Sequence, residues 1–242
     1  MLAILNYHNV GEPPVGMHLA RLYVAAEVFA RQLWWLRRVG YEGVTLSEGW
    51  RRLRAGRAGR TVAITFDDGY ADNVTLALPI LKEFSCRATC FVVSERLASY
   101  NLWDADALGG RKATMTEAEL GQWLAADCEV GSHTRTHPDL TRLPREEIME
   151  ELVGSRHALH RLTGESVPSF CYPYGRHNSE VSWCVARAGY QIAVTAARGR
   201  AAKTDWPLVL PRLSVGRRNG LVKFLLKATT PYADFGRLWN GA

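Results

Sequence analysis

Two groups of side chains in this sequence have the residue types that hold a metal ion. Asp67 and Asp68 are adjacent and precede Gly69, and His133 and His137 lie four residues apart. Adjacent ionised carboxylates repel each other when buried, so they need a cation or a shared proton. Two imidazoles and one carboxylate form a metal-binding set with open positions, as used with Zn²⁺ or another divalent ion in hydrolysis. The other aspartate would then accept a proton from the metal-bound water.

Each group directly follows a predicted buried strand. Residues 61–66 read Thr-Val-Ala-Ile-Thr-Phe, a run that is typical of a parallel strand buried on both faces. Residues 128–131 form a second strand of this kind. Reactive groups in α/β folds follow the carboxyl ends of such strands. An acidic β-turn with surface histidines is the alternative interpretation, and the joint placement of both groups at strand ends argues against it.

Strands and helices alternate along the whole chain of 242 residues. The apolar runs predict eight strands, at residues 2–7, 43–46, 61–66, 86–93, 128–131, 169–172, 191–195 and 208–215. This pattern favours an α/β fold, a single distorted (β/α) barrel of about seven or eight mainly parallel strands. No Gly-x-Gly-x-x-Gly follows a strand, which argues against a dinucleotide site. We expect one catalytic domain over residues 1–242, in which residues 216–242 form a C-terminal helical tail that packs on the barrel or lies on a membrane surface.

Composition narrows the class of partner. The net charge of +6 suits an anionic partner such as a phosphorylated sugar carrier or an acidic membrane surface. No dense basic run with interleaved aromatics occurs, so we expect no nucleic-acid partner. The five cysteines lack paired zinc spacing and are expected to be reduced, buried thiols. Without a signal-peptide pattern or a long apolar run, we expect a cytoplasmic protein, and peripheral membrane contact stays open.

Three motifs resemble the polysaccharide deacetylase superfamily, which includes chitin, peptidoglycan and poly-N-acetylglucosamine deacetylases. They are Thr-Phe-Asp-Asp-Gly at residues 65–69, His-Thr-Arg-Thr-His at 133–137 and Tyr-Pro-Tyr-Gly at 172–175, in the order of that family. The resemblance implies a distorted (β/α) barrel that removes acetyl groups from N-acetylglucosamine-type sugars with a divalent metal. Zn²⁺ is the expected ion, with Co²⁺, Ni²⁺ or Mn²⁺ as alternatives.

The same resemblance implies a role for each motif residue. Asp67 would be the general base, and Asp68, His133 and His137 would bind the metal. The backbone N–H of Tyr174 would help to stabilise the tetrahedral oxyanion. In the long loop at residues 94–112, aromatic side chains either line a sugar cleft or simply pack. The predicted substrate-binding residues are Tyr172, Pro173, Trp103 and Trp206.

Two departures from the family pattern lead to further assignments. The third motif commonly has an arginine two residues before its proline, but Cys171 stands there, and Arg212 is the candidate substitute. The family usually supplies a general-acid histidine near the C-terminus, whereas no histidine follows His177. Residues 4–10, Ile-Leu-Asn-Tyr-His-Asn-Val, resemble the circularly permuted, exopolysaccharide-deacetylase-like branch, in which this strand comes first. His8 is therefore the predicted general acid.

Two other functions stay open at the level of sequence. The same barrel and metal would suit a deformylase or a deacylase of a small, lipid-linked or nucleotide-linked amino sugar. A non-catalytic carbohydrate-binding relative is the second alternative, and the complete set of Asp67, Asp68, His133 and His137 argues against it.

Overall fold

The strands of the structure follow the apolar runs of the sequence. The computed structural model describes residues 1–234. Its strands are β1 (Ala3–Tyr7), β2 (Asn9–Val10), β3 (Tyr23–Val24), β4 (Glu42–Val44), β5 (Thr61–Phe66), β6 (Thr89–Val92), β7 (Glu129–Ser132), β8 (Ser169–Cys171), β9 (Ile192–Arg198) and β10 (Leu210–Ser214). The eight predicted strands are all present. The short pair β2 and β3 is additional, because two-residue strands have no periodic pattern to detect.

Seven strands close into a parallel ring. Their order is β1-β10-β9-β8-β7-β6-β5, and β5 pairs again with β1. β4 is an eighth strand that pairs with residues 61–63 of β5, whereas β6 pairs with residues 65–66. The amino-terminal half of β5 therefore pairs with β4, and its carboxyl-terminal end pairs with β6. The predicted distorted (β/α) barrel of mainly parallel strands is confirmed.

The first strand of the chain closes this ring. β1 pairs along its whole length with β5, from Ala3 opposite Val62 to Tyr7 opposite Phe66. On its other side it pairs with β10, the last strand, where Leu5 lies opposite Leu213. The first and last strands are thus neighbours, as in any closed barrel of parallel strands.

The helices follow the strands in the alternating pattern expected of a (β/α) barrel. They are α1 (Ala26–Arg38), α2 (Leu46–Arg54), α3 (Leu78–Glu83), α4 (Ala105–Leu108), α5 (Glu117–Leu124), α6 (Arg145–Thr163), α7 (Ser179–Arg187) and α8 (Leu221–Thr229). Helix α5 begins with a capping box: the Thr116 hydroxyl accepts from the Glu119 amide, and the Glu119 carboxylate accepts from the Thr116 amide.

Strand alternation separates an inner from an outer core. Ile4, Ala63 and Phe91 belong to one buried cluster, and their neighbours Leu5 and Ile64 belong to another that includes the helices. Successive side chains of a strand point to opposite faces, so the first cluster fills the barrel and the second lies between strands and helices. Helix α2 contributes to the barrel interior with Leu46, Trp50 and Leu53.

The C-terminal segment packs on the barrel as far as it is described. Helix α8 buries Phe224 and Ala228 and lies against α1 and β1. The Tyr41 hydroxyl donates a hydrogen bond to the Thr229 carbonyl at 3.1 Å. Residues 235–242, the last part of the predicted helical tail, lie outside the described residues. No helix within residues 1–234 is long and apolar enough to cross a bilayer.

Candidate active site

Most of the predicted site residues meet at the carboxyl end of the barrel. β5 ends at Phe66 and is followed by Asp67 and Asp68, and β7 ends at Ser132 and is followed by His133. Asp67, Asp68, His133 and His137 are 2–6 % exposed. Because parallel strands all end at the same mouth, side chains that are distant in the sequence converge there.

Three of these side chains form a triangle of potential metal ligands. Oδ1 of Asp68 lies 3.5 Å from Nε2 of His133 and 3.6 Å from Nε2 of His137. The two Nε2 atoms are 3.2 Å apart. Ligands at about 2.1 Å from a tetrahedral Zn²⁺ lie about 3.4 Å from one another. The three atoms therefore have the separations that one face of such a coordination sphere requires, and the donor set fits a divalent ion.

Hydrogen bonding leaves the His133 ring ready to bind a cation. Its Nδ1 lies 2.7 Å from the Cys171 carbonyl oxygen. Since a carbonyl oxygen can only accept, Nδ1 carries a proton, and this bond turns Nε2 toward Asp68, where it would bind a cation. Burial and the neighbouring His133 ring lower the pKa of His137 to about 3. Burial alone would raise the pKa of Asp68, but the facing histidines lower it. Burial alone would lower the pKa of His133, but Cys171 and Asp68 raise it well above its ordinary value, so a divalent ion would take the place of the proton on Nε2.

The loop that carries both histidines is fixed from helix α6. One carboxylate oxygen of Glu151 accepts from the amides of Arg135 and Thr136 at 2.8 and 3.0 Å, and the other accepts from the Thr136 hydroxyl at 2.7 Å. The Thr134 hydroxyl accepts from the His137 amide at 2.9 Å. Glu151 was not predicted from sequence. An acidic residue on an amphipathic helix looks like part of a solvated face, and its spacing from residues 133–137 gives no signal.

Arg212 reaches Asp67 from β10. Its two terminal nitrogens lie 2.7 Å from the two oxygens of Asp67, and its Nε donates to the Thr195 carbonyl at 3.0 Å. A further contact of 3.2 Å joins the guanidinium to Sγ of Cys171. Burial opposes ionisation of Asp67, but the Arg212 charge and hydrogen bonds outweigh it and hold the pKa of Asp67 well below its ordinary value. Asp67 is thus ionised and fixed in orientation.

A second set of potential ligands involves Asp67, His133 and Cys171, whose donor atoms also lie within 4.8 Å of one another. Both Asp67 and Cys171 already face the Arg212 cation. A second positive charge between them would be repelled, so Asp68, His133 and His137 are the better metal set.

His8 lies on the other side of Asp67. Its Nε2 is 3.9 Å from Oδ2 of Asp67, and its backbone carbonyl accepts a hydrogen bond from Nδ2 of Asn73 at 2.9 Å. The sequence suggests Asp72 or Asn73 as a helix cap; Asp72 takes the N-cap position, but its side chain accepts no capping hydrogen bond. A π-helical turn over Asn73–Ala77 precedes α3, and the buried Asn73 side chain instead supports the segment that carries His8.

Backbone strain concentrates in the loops of the site. Among residues 1–234, seven non-glycine residues have positive φ, and four of them are Asp68 (75°), Thr134 (69°), His137 (69°) and Tyr174 (57°). Each such residue costs on the order of 1–3 kcal/mol and persists only where its surroundings impose it. Two of the three potential metal ligands are held in this way, so their positions are set before any ligand binds.

The Tyr174 turn lies against the metal set. The Tyr174 ring contacts the His137 ring edge-on at 4.7 Å, and its amide donates no hydrogen bond to other described residues. Gly175 follows with φ 68°, and a Cβ there would lie 2.2 Å from that of Ala196. Glycine is therefore required for the turn to approach β9 and present the Tyr174 amide at the mouth.

The four predicted substrate-binding residues have different positions. The Trp103 ring stacks on the His137 ring at 4.9 Å and so lies at the site. Pro173 is buried at the start of the turn. Tyr172 does not form a pocket wall: its hydroxyl donates to the Leu208 carbonyl at 2.8 Å, and its ring packs in the outer core. It points outward because Cys171, the residue before it, faces the barrel interior.

Trp206 is not brought to the site. It lies in the connection between β9 and β10, next to Pro207, whose carbonyl accepts a hydrogen bond from the Ala193 amide at 2.8 Å. Ala193 is near the amino-terminal end of β9, whereas the site residues follow the carboxyl ends of the strands. The expectation that Trp206 binds substrate is therefore not supported by its position.

A family model described as polysaccharide deacetylase matches residues 54–193 of the chain. The chain belongs to this family. As a polysaccharide deacetylase it is a hydrolase of carbon–nitrogen amide bonds. The matched span contains Asp67, Asp68, His133 and His137, but His8 and Arg212 lie outside it. The two assignments that depart from the family pattern therefore rest on the geometry of this chain.

Several known proteins are similar over most of their length. The putative polysaccharide deacetylase YxkH of Bacillus subtilis is 28% identical over 216 residues, which are 88% of this chain and 71% of that protein. A poly-β-1,6-N-acetyl-D-glucosamine N-deacetylase of Staphylococcus epidermidis is 24% identical, over 92% of this chain and 81% of that protein. The solved structure of Streptococcus pyogenes deacetylase PplD in complex with acetate superposes with a TM-score of 0.82 at 25% identity, covering 94% of this chain and 97% of that one.

Proposed function

We propose that this polysaccharide deacetylase removes N-acetyl groups from N-acetylglucosamine-type sugars in a polysaccharide, an oligosaccharide or a carrier-linked glycan. The observation that carries the proposal is the triangle of Asp68, His133 and His137 beside an Asp67 that Arg212 keeps ionised. The Staphylococcus epidermidis relative, named for deacetylation of a poly-N-acetylglucosamine, supports the class of substrate.

Asp68, His133 and His137 would hold a divalent ion, for which Zn²⁺ is the first candidate. When bound, such an ion polarises the amide carbonyl and lowers the pKa of a water molecule from near 16 to about 7. Asp67, kept ionised by Arg212, accepts a proton from the attacking water. The amide of Tyr174 donates a hydrogen bond to the developing oxyanion, a contribution of roughly 3–4 kcal/mol in comparable sites. His8, on the far side of Asp67, delivers a proton to the leaving amine.

Two features of the site support this proposal. The base and the acid lie 3.9 Å apart, so both reach one substrate amide without a large movement. Trp103 and Tyr174 both contact the His137 ring, and aromatic surface at this place suits the apolar face of a sugar ring. Tyr174 is 48% exposed, which leaves its ring available to substrate.

The test combines metal analysis with release assays. We expect purified protein to contain a stoichiometric divalent metal and to release both free amine and acetate from N-acetylglucosamine oligosaccharides. Asp67→Asn should lower kcat by about a hundredfold or more, the usual contribution of a general base. The matched control is Asp127→Asn, at an exposed aspartate near the start of β7, which should leave kcat unchanged.

The assay also separates the alternatives. Release of formate in place of acetate would reassign the acyl group and identify a deformylase. Metal-replete protein that releases amine from no N-acylated sugar would overturn the proposed function, and binding of sugar without turnover would identify a carbohydrate-binding relative.

A further inference from the structure

A basic cavity adjoins the catalytic mouth on the side of β1 and β10. Its volume is about 290 Å³, near the lower end of the range for small-molecule sites. His8 forms part of its wall, so the cavity adjoins the proposed general acid. The remaining residues used below are Asn6, Arg21, Arg218 and Lys227.

The charge of this cavity is uniformly positive. Arg21, Arg218 and Lys227 line it, and no acidic side chain does. Within residues 1–234, neither arginine forms an ion pair, and the Lys227 ammonium donates to the Ser214 carbonyl at 3.1 Å. In contrast, the adjacent Arg217 is paired with Glu12 at 2.7 Å and does not line the cavity. Three cations without a counter-charge favour an anionic ligand.

The backbone brings two of these cations to one wall. Arg21 precedes β3, and Arg218 lies in the turn after β10, almost two hundred residues later. The Arg217 amide donates to the Arg21 carbonyl at 3.2 Å. A Cβ at Gly216 would lie 2.1 Å from that same carbonyl oxygen, so only glycine permits the approach. The fold therefore holds the two segments together at this place.

A buried polar group in the same wall lacks a partner. Asn6 is 5% exposed, and its Oδ1 accepts no hydrogen bond from residues 1–234. Asn6 lies two residues before His8 at the end of β1, so both side chains point to the same side of the strand. A buried acceptor without a donor costs about 1–3 kcal/mol, which a ligand hydroxyl or amide N–H would recover.

We propose that this cavity binds an oxyanion, a phosphate or a carboxylate, carried by the sugar that adjoins the one being deacetylated. The substrate is accordingly an anionic glycan, with its charged group on Arg21, Arg218 and Lys227 and a hydroxyl or amide of the same sugar on Asn6. This inference rests on the proposed function, because it places the anion relative to the amide that reacts beside His8.

The experiment compares three N-acetylglucosamine oligosaccharides that differ in one substituent: a neutral one, one with a phosphate and one with a carboxylate on the adjoining sugar. We expect kcat/KM of the wild-type enzyme to be about tenfold higher for a charged substrate, the effect of one charge-assisted hydrogen bond. Arg218→Gln and Arg21→Gln should each reduce this preference to about twofold or less. The matched control Arg217→Gln removes the same charge from the neighbouring position and should keep the preference.

Binding measured by calorimetry with the Asp67→Asn protein gives a second readout that needs no turnover. The charged oligosaccharides should bind about tenfold more tightly than the neutral one, and less so at high salt. Whichever charged substituent gives the larger effect identifies the source of the oxyanion. Equal kcat/KM and equal affinity for neutral and charged substrates would overturn the inference. Absence of amine release from all three contradicts the proposed function instead, and the calorimetry then still decides the role of the cavity.

Discussion

Arg212→Gln tests whether the arginine from β10 controls the general base. The substitution removes the guanidinium that lies 2.7 Å from both oxygens of Asp67 and leaves a shorter, uncharged polar side chain. Asp67 is 4% exposed, so water cannot replace the lost partner. In the wild type, burial and Arg212 act on the pKa of Asp67 in opposite directions, and Arg212 prevails. Without it, burial remains, and the pKa of Asp67 should rise above its ordinary value of 3.8.

The expected loss of folding stability follows from the removal of one of two paired, buried charges. Removing one partner of a buried ion pair costs about 3–5 kcal/mol of folding stability at neutral pH. For a chain of this size, this corresponds to a fall in Tm of about 10 °C. The lowered pKa of Asp67 in the wild type gives stability that is present above pH 3.8 and is lost as the pH falls through the folded value. In the variant the raised pKa of Asp67 destabilises the folded state at neutral pH, and protonation of Asp67 relieves this as the pH falls. The difference in Tm between the wild type and the variant should therefore be smaller at pH 4.5 than at pH 7.

The assay is the pH dependence of kcat/KM for amine release. Since only the ionised form of Asp67 accepts a proton, the acidic limb of the profile should move to higher pH in Arg212→Gln, and kcat at pH 7 should fall by about a hundredfold. Arg145→Gln, which loses an exposed ion pair with Glu180, serves as the control and should change neither quantity. A variant with a lower Tm but the acidic limb of the wild type would show that Arg212 is structural only, and would refute this reasoning.

Three further predictions concern the metal set and the substrate cleft. Glu151→Ala removes both oxygens that hold the amides of residues 135 and 136 and the Thr136 hydroxyl, so affinity for Zn²⁺ in a chelator competition should fall about tenfold; unchanged affinity would show that the loop is held by other contacts. Trp103→Ala removes the ring that stacks on His137 and should raise KM for oligosaccharides several-fold more than it lowers kcat, whereas an effect on kcat alone would place Trp103 outside the cleft. Removal of the metal with a chelator should abolish amine release and lower Tm, and re-addition of Zn²⁺ should restore both; full activity in the metal-free protein would contradict the assignment of Asp68, His133 and His137.

The fold could be predicted from the sequence because each strand and helix has a local residue pattern and these patterns repeat along the chain. Each barrel strand is a short apolar run, and the alternation of such runs with amphipathic helices defines a (β/α) barrel. The errors occur where a local pattern has several three-dimensional outcomes. Asn73 has the residue type of a helix cap, yet it is fully buried and supports His8. Whether a polar side chain caps a helix or enters the core depends on neighbours that are distant in the chain.

Those site residues that lie in contiguous motifs could be predicted from the sequence. Asp67, Asp68, His133 and His137 lie in short segments directly after strands, and the structure brings them together as a set. Glu151 was missed because it acts across the fold, from a helix onto a loop. Tyr172 was assigned to a pocket wall although strand alternation, counted from Cys171, places it on the outer face. For Trp206 the sequence contains no signal for which end of the barrel a connecting loop approaches.

The two departures from the family pattern have one explanation in the closed ring. All ring strands end at one mouth, so a group beside Asp67 need not come from a particular strand. The guanidinium of Arg212 comes from β10 and touches the Cys171 thiol on β8, where the family commonly has its arginine. A small side chain at position 171 leaves room for an arginine from another strand. In the same way, β1 lies between β5 and β10, so an imidazole from the first strand reaches the position that a last strand would supply. The proposed roles of Arg212 and His8 therefore depend on where their side chains lie at the mouth, and not on which strand carries them.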